Sequence, residues 1–126
     1  MKKIFLDTNF LIDLGRFGVS IDEIDRLINE RHELAVLRSV MNELKTIAGG
    51  QQQESKFAKL ALMLIDLRAV KIIESENRAD DAVIELATND KDVIVATNHV
   101  ELRKKLKDLG VRTICLRSKK HLVIDY

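Results

Sequence analysis

Acidic side chains and one histidine follow apolar segments of this chain at positions far apart in the sequence. They are Asp7, Glu43, Asp80, Asp81 and His99. Carboxylates brought together repel one another, and burial adds a desolvation cost unless a cation or a proton compensates. Mg²⁺ and Mn²⁺ suit this role because hard cations take oxygen ligands and keep several waters. Such an ion activates water and stabilises charge on a phosphoryl oxygen, so these residues favour phosphodiester hydrolysis.

Each of these residues also has a purely structural interpretation. Asp7 could simply cap the helix that follows it, and Glu43 could be an ordinary solvated carboxylate. Asp80 and Asp81 would favour the positive N-terminal end of their helix whatever the function. A lone histidine such as His99 is more often a surface or capping residue than a ligand. The functional interpretation therefore depends on all of them meeting at one place.

Short apolar runs rich in β-forming residues alternate with helical patterns. Five strands are predicted, at Lys3–Leu6, Glu33–Leu37, Val70–Ile73, Val93–Ala96 and Val111–Leu116. Apolar strands that alternate with helices indicate a parallel sheet covered on both faces. We therefore predict a single α/β domain over residues 1–126, a three-layer α/β/α sandwich around a parallel sheet of four or five strands. Ligands bind at the carboxyl ends of such strands, where the acidic residues are expected to converge.

The predicted helices carry start and stop signals. Ser20 followed by Glu23 is typical of a capping box, and Gly49 and Gly110 suit left-handed residues that end helices. The segment Phe57–Leu67 is apolar nearly all round, so it must be covered on more than one side. Either a neighbouring helix or a second subunit would supply that cover, and the sequence leaves both open.

Composition is that of an ordinary globular domain, with 46% hydrophobic and 33% charged residues among 126. The net charge of +1 does not by itself indicate a nucleic-acid partner. The single cysteine, Cys115, lies in an apolar run and is predicted to be a small buried side chain. The longest apolar run, Leu60–Ile65, is far too short to span a membrane. We expect a soluble, cytoplasmic protein.

Five segments together resemble the PIN-domain family of metal-dependent ribonucleases. They are Ile4–Asn9, Ser39–Leu44, Asp80–Ala87, Val95–Arg103 and Gly110–Arg117, which are similar to the family's opening strand, its second-acid, third-acid and fourth segments, and its last strand. Any one segment is weak, but their order and spacing are specific and cover nearly the whole chain. The resemblance is strongest to short single-domain members akin to the ribosomal-RNA-processing branch, with toxin-type nucleases more distant.

The resemblance implies Asp7, Glu43 and Asp81 as catalytic metal ligands for Mg²⁺ or Mn²⁺. Asp81 is preferred because its distance to Thr97 matches the family pattern better, while Asp80 could assist. Side chains that would orient these carboxylates through hydrogen bonds are Asn9, Thr97 and Asn98.

One position departs from the family pattern. The family usually places Asp, sometimes Asn, where this chain has His99. A histidine can bind Mn²⁺ or a softer metal, but it removes a negative charge from the site. Three outcomes follow: a weaker second metal site, replacement by Glu101 one turn along, or a chain that binds RNA without cutting it.

The predicted function is divalent-metal-dependent cleavage of RNA, in RNA processing or as a toxin. The alternative is a catalytically weak or inactive RNA-binding or assembly factor, because of His99. Expected partners are RNA, a second copy of the chain as a homodimer, and, for a toxin, an antitoxin protein. Basic residues gather late in the chain, and those predicted to hold the RNA backbone are Lys104, Lys105 and Lys119.

Two other classes with acids at a sheet edge fit poorly. Phosphoacceptor receiver domains need paired acids after the first strand and an Asp directly after the third, but Thr8 and Asn9 follow Asp7 here. Haloacid-dehalogenase-type phosphatases need a second Asp two positions after the first, where this chain has Asn9.

Overall fold

One six-stranded sheet organises the chain. The computed structural model describes residues 1–75 and 79–125. The strands are β1 (Lys2–Leu6), β2 (His32–Leu37), β3 (Lys71–Ile73), β4 (Val93–Ala96), β5 (Thr113–Arg117) and β6 (His121–Asp125). Their order is β3-β2-β1-β4-β5-β6, with β1 to β5 parallel and β6 antiparallel to β5. The predicted α/β architecture with five parallel strands is confirmed, and a sixth strand that was not predicted is added.

Strand β6 follows a turn that lacks the usual signal. The Lys120 N–H donates to the Arg117 carbonyl at 3.2 Å. The two residues between them, Ser118 and Lys119, have φ of 56° and 58°. Hairpin turns of this shape normally carry Asn or Gly, which tolerate positive φ. The chain therefore reverses direction at residues whose types do not predict a hairpin.

Six helices connect the strands. They are α1 (Thr8–Phe17), α2 (Glu23–Leu27), α3 (Arg38–Ala48), α4 (Ser55–Leu67), α5 (Ala79–Asn89) and α6 (Val100–Asp108). The crossovers through α1, α3 and α4 run from the sheet centre toward β3, and those through α5 and α6 run the opposite way. Right-handed crossovers in opposite directions place these two groups on opposite faces. Accordingly α1, α3 and α4 contact one another, and α5 contacts α6.

The predicted caps are only partly confirmed. Glu23 does not form a capping box, because its carboxylate accepts from the Leu122 N–H at 3.2 Å and ties α2 to β6. Ser20 accepts from the Asp22 N–H instead. Gly110 has the expected left-handed backbone with φ of 76°. Gly49 does not, since its φ is −76°.

Helix α4 has one face in the core and one in solvent. The buried face consists of Ala58, Ala61 and Ile65. The outer face carries an apolar stripe, with exposed fractions of 51% for Leu60, 59% for Met63 and 78% for Leu67. Neighbouring helices therefore bury only one face of α4, and the apolar stripe on its outer face stays exposed.

Other sequence-based expectations concern Cys115 and the membrane. Cys115 is buried, as predicted. Within the described ranges, the model contains no helix with the length and hydrophobicity needed to cross a membrane.

Candidate active site

Asp7 lies where β1 ends and α1 begins, and both of its carboxylate oxygens accept a hydrogen bond. Oδ1 accepts from the Thr8 N–H at 2.9 Å, so Asp7 caps α1. Oδ2 accepts from the Thr97 hydroxyl at 2.7 Å. Only 9% of the residue is exposed. The capping interpretation of Asp7 is therefore confirmed, and the same side chain also lines the cavity described below.

Thr97 fixes Asp7 from the neighbouring strand. It follows β4, which pairs with β1 in parallel register so that Leu6 lies beside Ala96. Thr97 is fully buried. Its oxygen also accepts from the His99 N–H at 3.1 Å, so one hydroxyl connects the Asp7 carboxylate to the backbone before α6.

A cavity of about 320 Å³ opens at this edge of the sheet. Acidic groups from four different elements or loops reach it, together with His99. Its lining residues are Asp7, Thr8, Asn9, Ile12, Glu43, Ile47, Glu54, Asp80 and His99. The predicted convergence of Asp7, Glu43, Asp80 and His99 is therefore present in the structure.

The cavity disfavours ionised carboxylates. Burial raises the pKa of Asp7 above its usual 3.8; hydrogen bonds from Thr97 and Thr8 oppose this rise, and the charge of Asp80 adds to it. Desolvation likewise raises the pKa of Glu43, against the opposing effect of the Thr8 hydroxyl, and the charges of Asp7 and Asp80 raise it further. The negative charges of these carboxylates therefore repel one another, and a bound cation would reduce the repulsion between Asp7, Glu43 and Asp80.

The donor set fits a hard divalent cation in type and charge. Each oxygen of Asp7 accepts one hydrogen bond, and a carboxylate oxygen has room for a second partner. In the described part of the chain, however, no three potential ligands are already grouped at metal-binding spacing. The carboxylates would have to draw closer around an ion, as expected for like charges that stand apart without one.

His99 pairs with Asp80. Its Nδ1 lies 3.6 Å from Asp80 Oδ2, and both side chains are about half exposed, at 47% and 49%. Glu101, the proposed replacement for the family's fourth acid, is not among the cavity-lining residues. Its carboxylate is 71% exposed and lies 3.9 Å from Lys104 Nζ. Of these two residues, only His99 lines the cavity.

The three predicted orienting residues differ in what they contact. Thr97 contacts Asp7 directly. The Asn9 side chain accepts from the Asn98 N–H at 3.2 Å. Asn98 donates to Asp13 Oδ2 at 2.9 Å and accepts from the Leu116 N–H at 2.8 Å. Asn98 thus joins α1 to β5 and supports the loop carrying His99; among the hydrogen bonds of the described residues, its own do not reach an acidic residue of the cavity.

The sequence-based preference for Asp81 over Asp80 does not match the lining of the cavity. Asp80 lines the cavity, whereas the neighbouring Asp81 does not. Asp81 is exposed. Successive helical residues point about 100° apart, so only one of two adjacent acids can project toward the cavity.

The lysines predicted to bind RNA lie outside the cavity lining. Lys104 and Lys105 are on α6, and Lys119 is in the turn before β6. Lys119 Nζ lies 5.5 Å from the centroid of the Phe17 ring. The structure thus distributes the three lysines over two elements.

Glu54 was not predicted as a site residue. It lies just before α4 in the loop that begins at Gly49, and it lines the cavity beside Glu43. Its Oε1 accepts from Arg16 Nη2 at 2.8 Å, and Arg16 also pairs with Asp13 at 3.2 Å. A loop residue without periodicity gives no sequence signal for such a placement.

The sheet is mostly parallel, and carboxylates gather at the carboxyl ends of its strands. These two features are typical of α/β proteins that bind ligands at that edge of the sheet. Comparison with known proteins narrows this class. The family model described as PIN like domain matches residues 4–119. Ribonuclease VapC4 of Methanocaldococcus jannaschii is 34% identical to this chain over an alignment of 128 residues. The alignment covers 98% of this chain and 97% of that protein. The chain belongs to the PIN-like domain family.

Two solved structures show the same fold at low sequence identity. The PIN domain endonuclease Utp24 has a TM-score of 0.81 at 16% identity, over 98% of this chain and 90% of that one. VapBC-1 of nontypeable Haemophilus influenzae has a TM-score of 0.51 at 18% identity, over 84% of this chain and 93% of that one. At such identities the likeness concerns the fold alone.

Proposed function

We propose that this protein is a divalent-metal-dependent endoribonuclease that hydrolyses phosphodiester bonds in RNA. The observation that carries this proposal is the buried Asp7 carboxylate, held by Thr97 and sharing a cavity with Glu43 and Asp80. Family membership and the ribonuclease name of its 34% identical relative support it.

Asp7, Glu43 and Asp80 would hold the metal in this proposal. A bound Mg²⁺ or Mn²⁺ would supply activation of water and stabilisation of phosphoryl charge. Thr8 and Thr97 fix the Asp7 carboxylate in one orientation, because each of its oxygens has a defined donor. Glu43, on the opposite helix, remains exposed and is free to adjust to the ion and the RNA. His99, beside Asp80, provides a nitrogen ligand or a donor to a phosphate oxygen.

The direct test is cleavage of single-stranded RNA with Mn²⁺ or Mg²⁺, comparing the native protein with Asp7→Asn. Asn keeps an oxygen that can cap α1 but lacks the negative charge, so we expect a folded protein that has lost cleavage. Calorimetric titration of Mn²⁺ should show weaker binding by the variant. Equal cleavage by both proteins would contradict the proposal.

Asp80 and Asp81 form a matched pair for identifying the third acid. Asp80→Asn and Asp81→Asn make the same chemical change at adjacent positions of α5. We expect Asp80→Asn to weaken Mn²⁺ binding and cleavage, because only Asp80 lines the cavity. The reverse result would restore Asp81 as the ligand.

The His99–Asp80 pair favours one second candidate function. If the imidazole holds Asp80 away from a metal ion, the chain would bind RNA without cutting it and act as an RNA-binding or assembly factor. Full RNA affinity of the native protein without cleavage in either metal would support this candidate, and restored cleavage by His99→Asp would identify the histidine as the cause.

We also propose that the apolar stripe of α4 is a protein contact. A groove of about 320 Å³ lies beside it, lined largely by apolar residues of α1 and α4. A second copy of the chain would bury this stripe in a homodimer; an antitoxin would be the partner of a toxin-type nuclease. Light scattering of the native protein and Met63→Glu tests the homodimer: we expect a dimer and a monomer, respectively, and a monomeric native protein would contradict it.

A further inference from the structure

A second depression adjoins the acidic cavity. It measures about 630 Å³ and is lined by Arg16, Gln52, Gln53, Glu54 and Phe57. Glu54 lines both depressions. The two depressions are therefore neighbours that share Glu54 as a common wall.

An aromatic ring and one cation line this depression, and a second cation, outside the lining, lies close to the same ring. The Arg16 guanidinium carbon lies 6.0 Å from the centroid of the Phe57 ring, and Lys56 Nζ lies 5.0 Å from it. Arg16 is held by Asp13 and Glu54 at 3.2 and 2.8 Å, so the guanidinium has a fixed orientation.

The position of Phe57 is set by a close approach of two helices. A Cβ added to Gly15 of α1 would lie 3.3 Å from Phe57 Cδ1. The ring thus packs against the backbone of α1 with no side chain between them. Phe57 nevertheless remains partly exposed, unlike the buried Phe5 and Phe10.

The adjoining loop supplies polar groups. Gln52 and Gln53 are exposed and line the same depression. Each amide offers both a hydrogen-bond donor and an acceptor, which matches the mixed donor and acceptor edges of nucleobases. Single-stranded nucleic acids are bound by this combination of an aromatic ring for stacking and cations for the phosphates.

We propose that the depression around Phe57 is a nucleotide subsite, in which an unpaired base next to the scissile phosphate stacks on the Phe57 ring while Lys56 attracts a flanking phosphate. This inference rests on the proposed function and deepens it, because it assigns the contact with one base of the substrate to a particular side chain. Gln52 and Gln53 hydrogen-bond the edge of the stacked base.

The test compares binding of two fluorescein-labelled octamers in EDTA at low ionic strength, where metal-dependent cleavage does not occur. One is oligoadenylate and the other is an abasic ribose-phosphate octamer with the same number of phosphates. We expect Phe57→Leu to weaken oligoadenylate binding by at least about 5-fold, the lower end of the effect of losing one base–aromatic stack. Binding of the abasic octamer should change less than about 2-fold, since its phosphate contacts are unaltered.

Two further variants complete the design. Phe57→Tyr keeps a ring and should retain oligoadenylate binding. Phe17→Leu removes another partly exposed phenylalanine with a lysine nearby, but Phe17 lines neither depression, so it should leave the ratio of the two affinities unchanged. Circular dichroism confirms that each variant is folded.

The outcomes separate this subsite from the proposed nuclease activity. If Phe57→Leu weakens binding of both octamers equally, or of neither, the subsite is wrong even where the native protein cleaves RNA. A base-selective loss in a protein that never cleaves RNA would support the subsite and contradict the nuclease. A native protein that binds neither octamer overturns the subsite.

Discussion

The hydrogen bond from Thr97 to Asp7 can be removed without changing the shape of the core. Thr97→Val replaces the hydroxyl with a methyl group at a fully buried position. The change deletes the 2.7 Å bond to Asp7 Oδ2 and the acceptor for the His99 N–H. Because the side-chain volume is kept, the lost hydrogen bonds dominate the effect.

The expected loss of stability follows from the burial of Asp7. A hydrogen bond to a charged group contributes about 1.5–3 kcal/mol. The bond from the His99 N–H to the same hydroxyl joins two neutral groups and contributes less. We therefore expect Thr97→Val to lower the free energy of unfolding by about 2 kcal/mol at neutral pH.

The loss should depend on pH with a defined sign. The Thr97 hydrogen bond lowers the pKa of Asp7, whose burial raises it above the usual 3.8. In the folded protein Asp7 therefore keeps its proton to higher pH than in the unfolded chain. Ionisation of Asp7 lowers the free energy of unfolding, and this loss is complete above the folded-state pKa. The loss disappears as the pH falls toward 3.8, the pKa of the unfolded chain. Removing the hydroxyl raises the folded pKa further and enlarges this loss. The difference between native and variant proteins should be largest at neutral pH and shrink in acid.

Urea unfolding of the native protein, Thr97→Val and Thr97→Ser across this pH range provides the assay. Serine keeps the hydroxyl and loses only a methyl, so its stability loss should be independent of pH. A Thr97→Val loss that is the same at every pH, or a pH dependence shared by Thr97→Ser, would refute the proposed role of the hydrogen bond. Carboxyl NMR of Asp7 should show a higher pKa in Thr97→Val.

Three further perturbations test other parts of the structure. His99→Asp should tighten Mg²⁺ binding because it restores a carboxylate to the fourth position; calorimetry showing equal or weaker binding would discard this expectation. Replacing Lys104, Lys105 and Lys119 by Ala should flatten the plot of log binding constant against log salt concentration for RNA. Its slope should change by about one unit per lost phosphate contact, and an unchanged slope would exclude these lysines from the interface. Ser118→Gly should raise the free energy of unfolding by about 0.5–1 kcal/mol, because glycine adopts positive φ without strain; lower stability in thermal unfolding would contradict this.

The sheet could be predicted because its strands are continuous apolar runs bounded by polar segments. Knowing that the strands are parallel is enough to bring Asp7 and His99 to one edge, since Asp7 follows β1 directly and His99 lies three residues after the end of β4. Strand β6 was missed because Ser118 and Lys119 adopt a turn for which their residue types give no signal.

The choice between Asp80 and Asp81 shows where sequence reasoning ends. Both acids open the same helix, and a rotation of about 100° about the helix axis decides which one reaches the cavity. That rotation is fixed by how α5 packs on the sheet and on α6, which depends on contacts distant in sequence. Glu54 was missed for a related reason, because its position depends on the path of an exposed loop.

The bond between Asp7 and Thr97 joins residues 90 positions apart in the chain. During synthesis on a ribosome, the N-terminal half emerges first, carrying Asp7 and Glu43 but neither Asp80 nor the strand β4 that precedes Thr97. The central pairing of β1 with β4 therefore waits until most of the polypeptide has been made, and long-range pairing of this kind forms late. If the chain is the nuclease proposed above, its active site would therefore be incomplete until most of the polypeptide has left the ribosome.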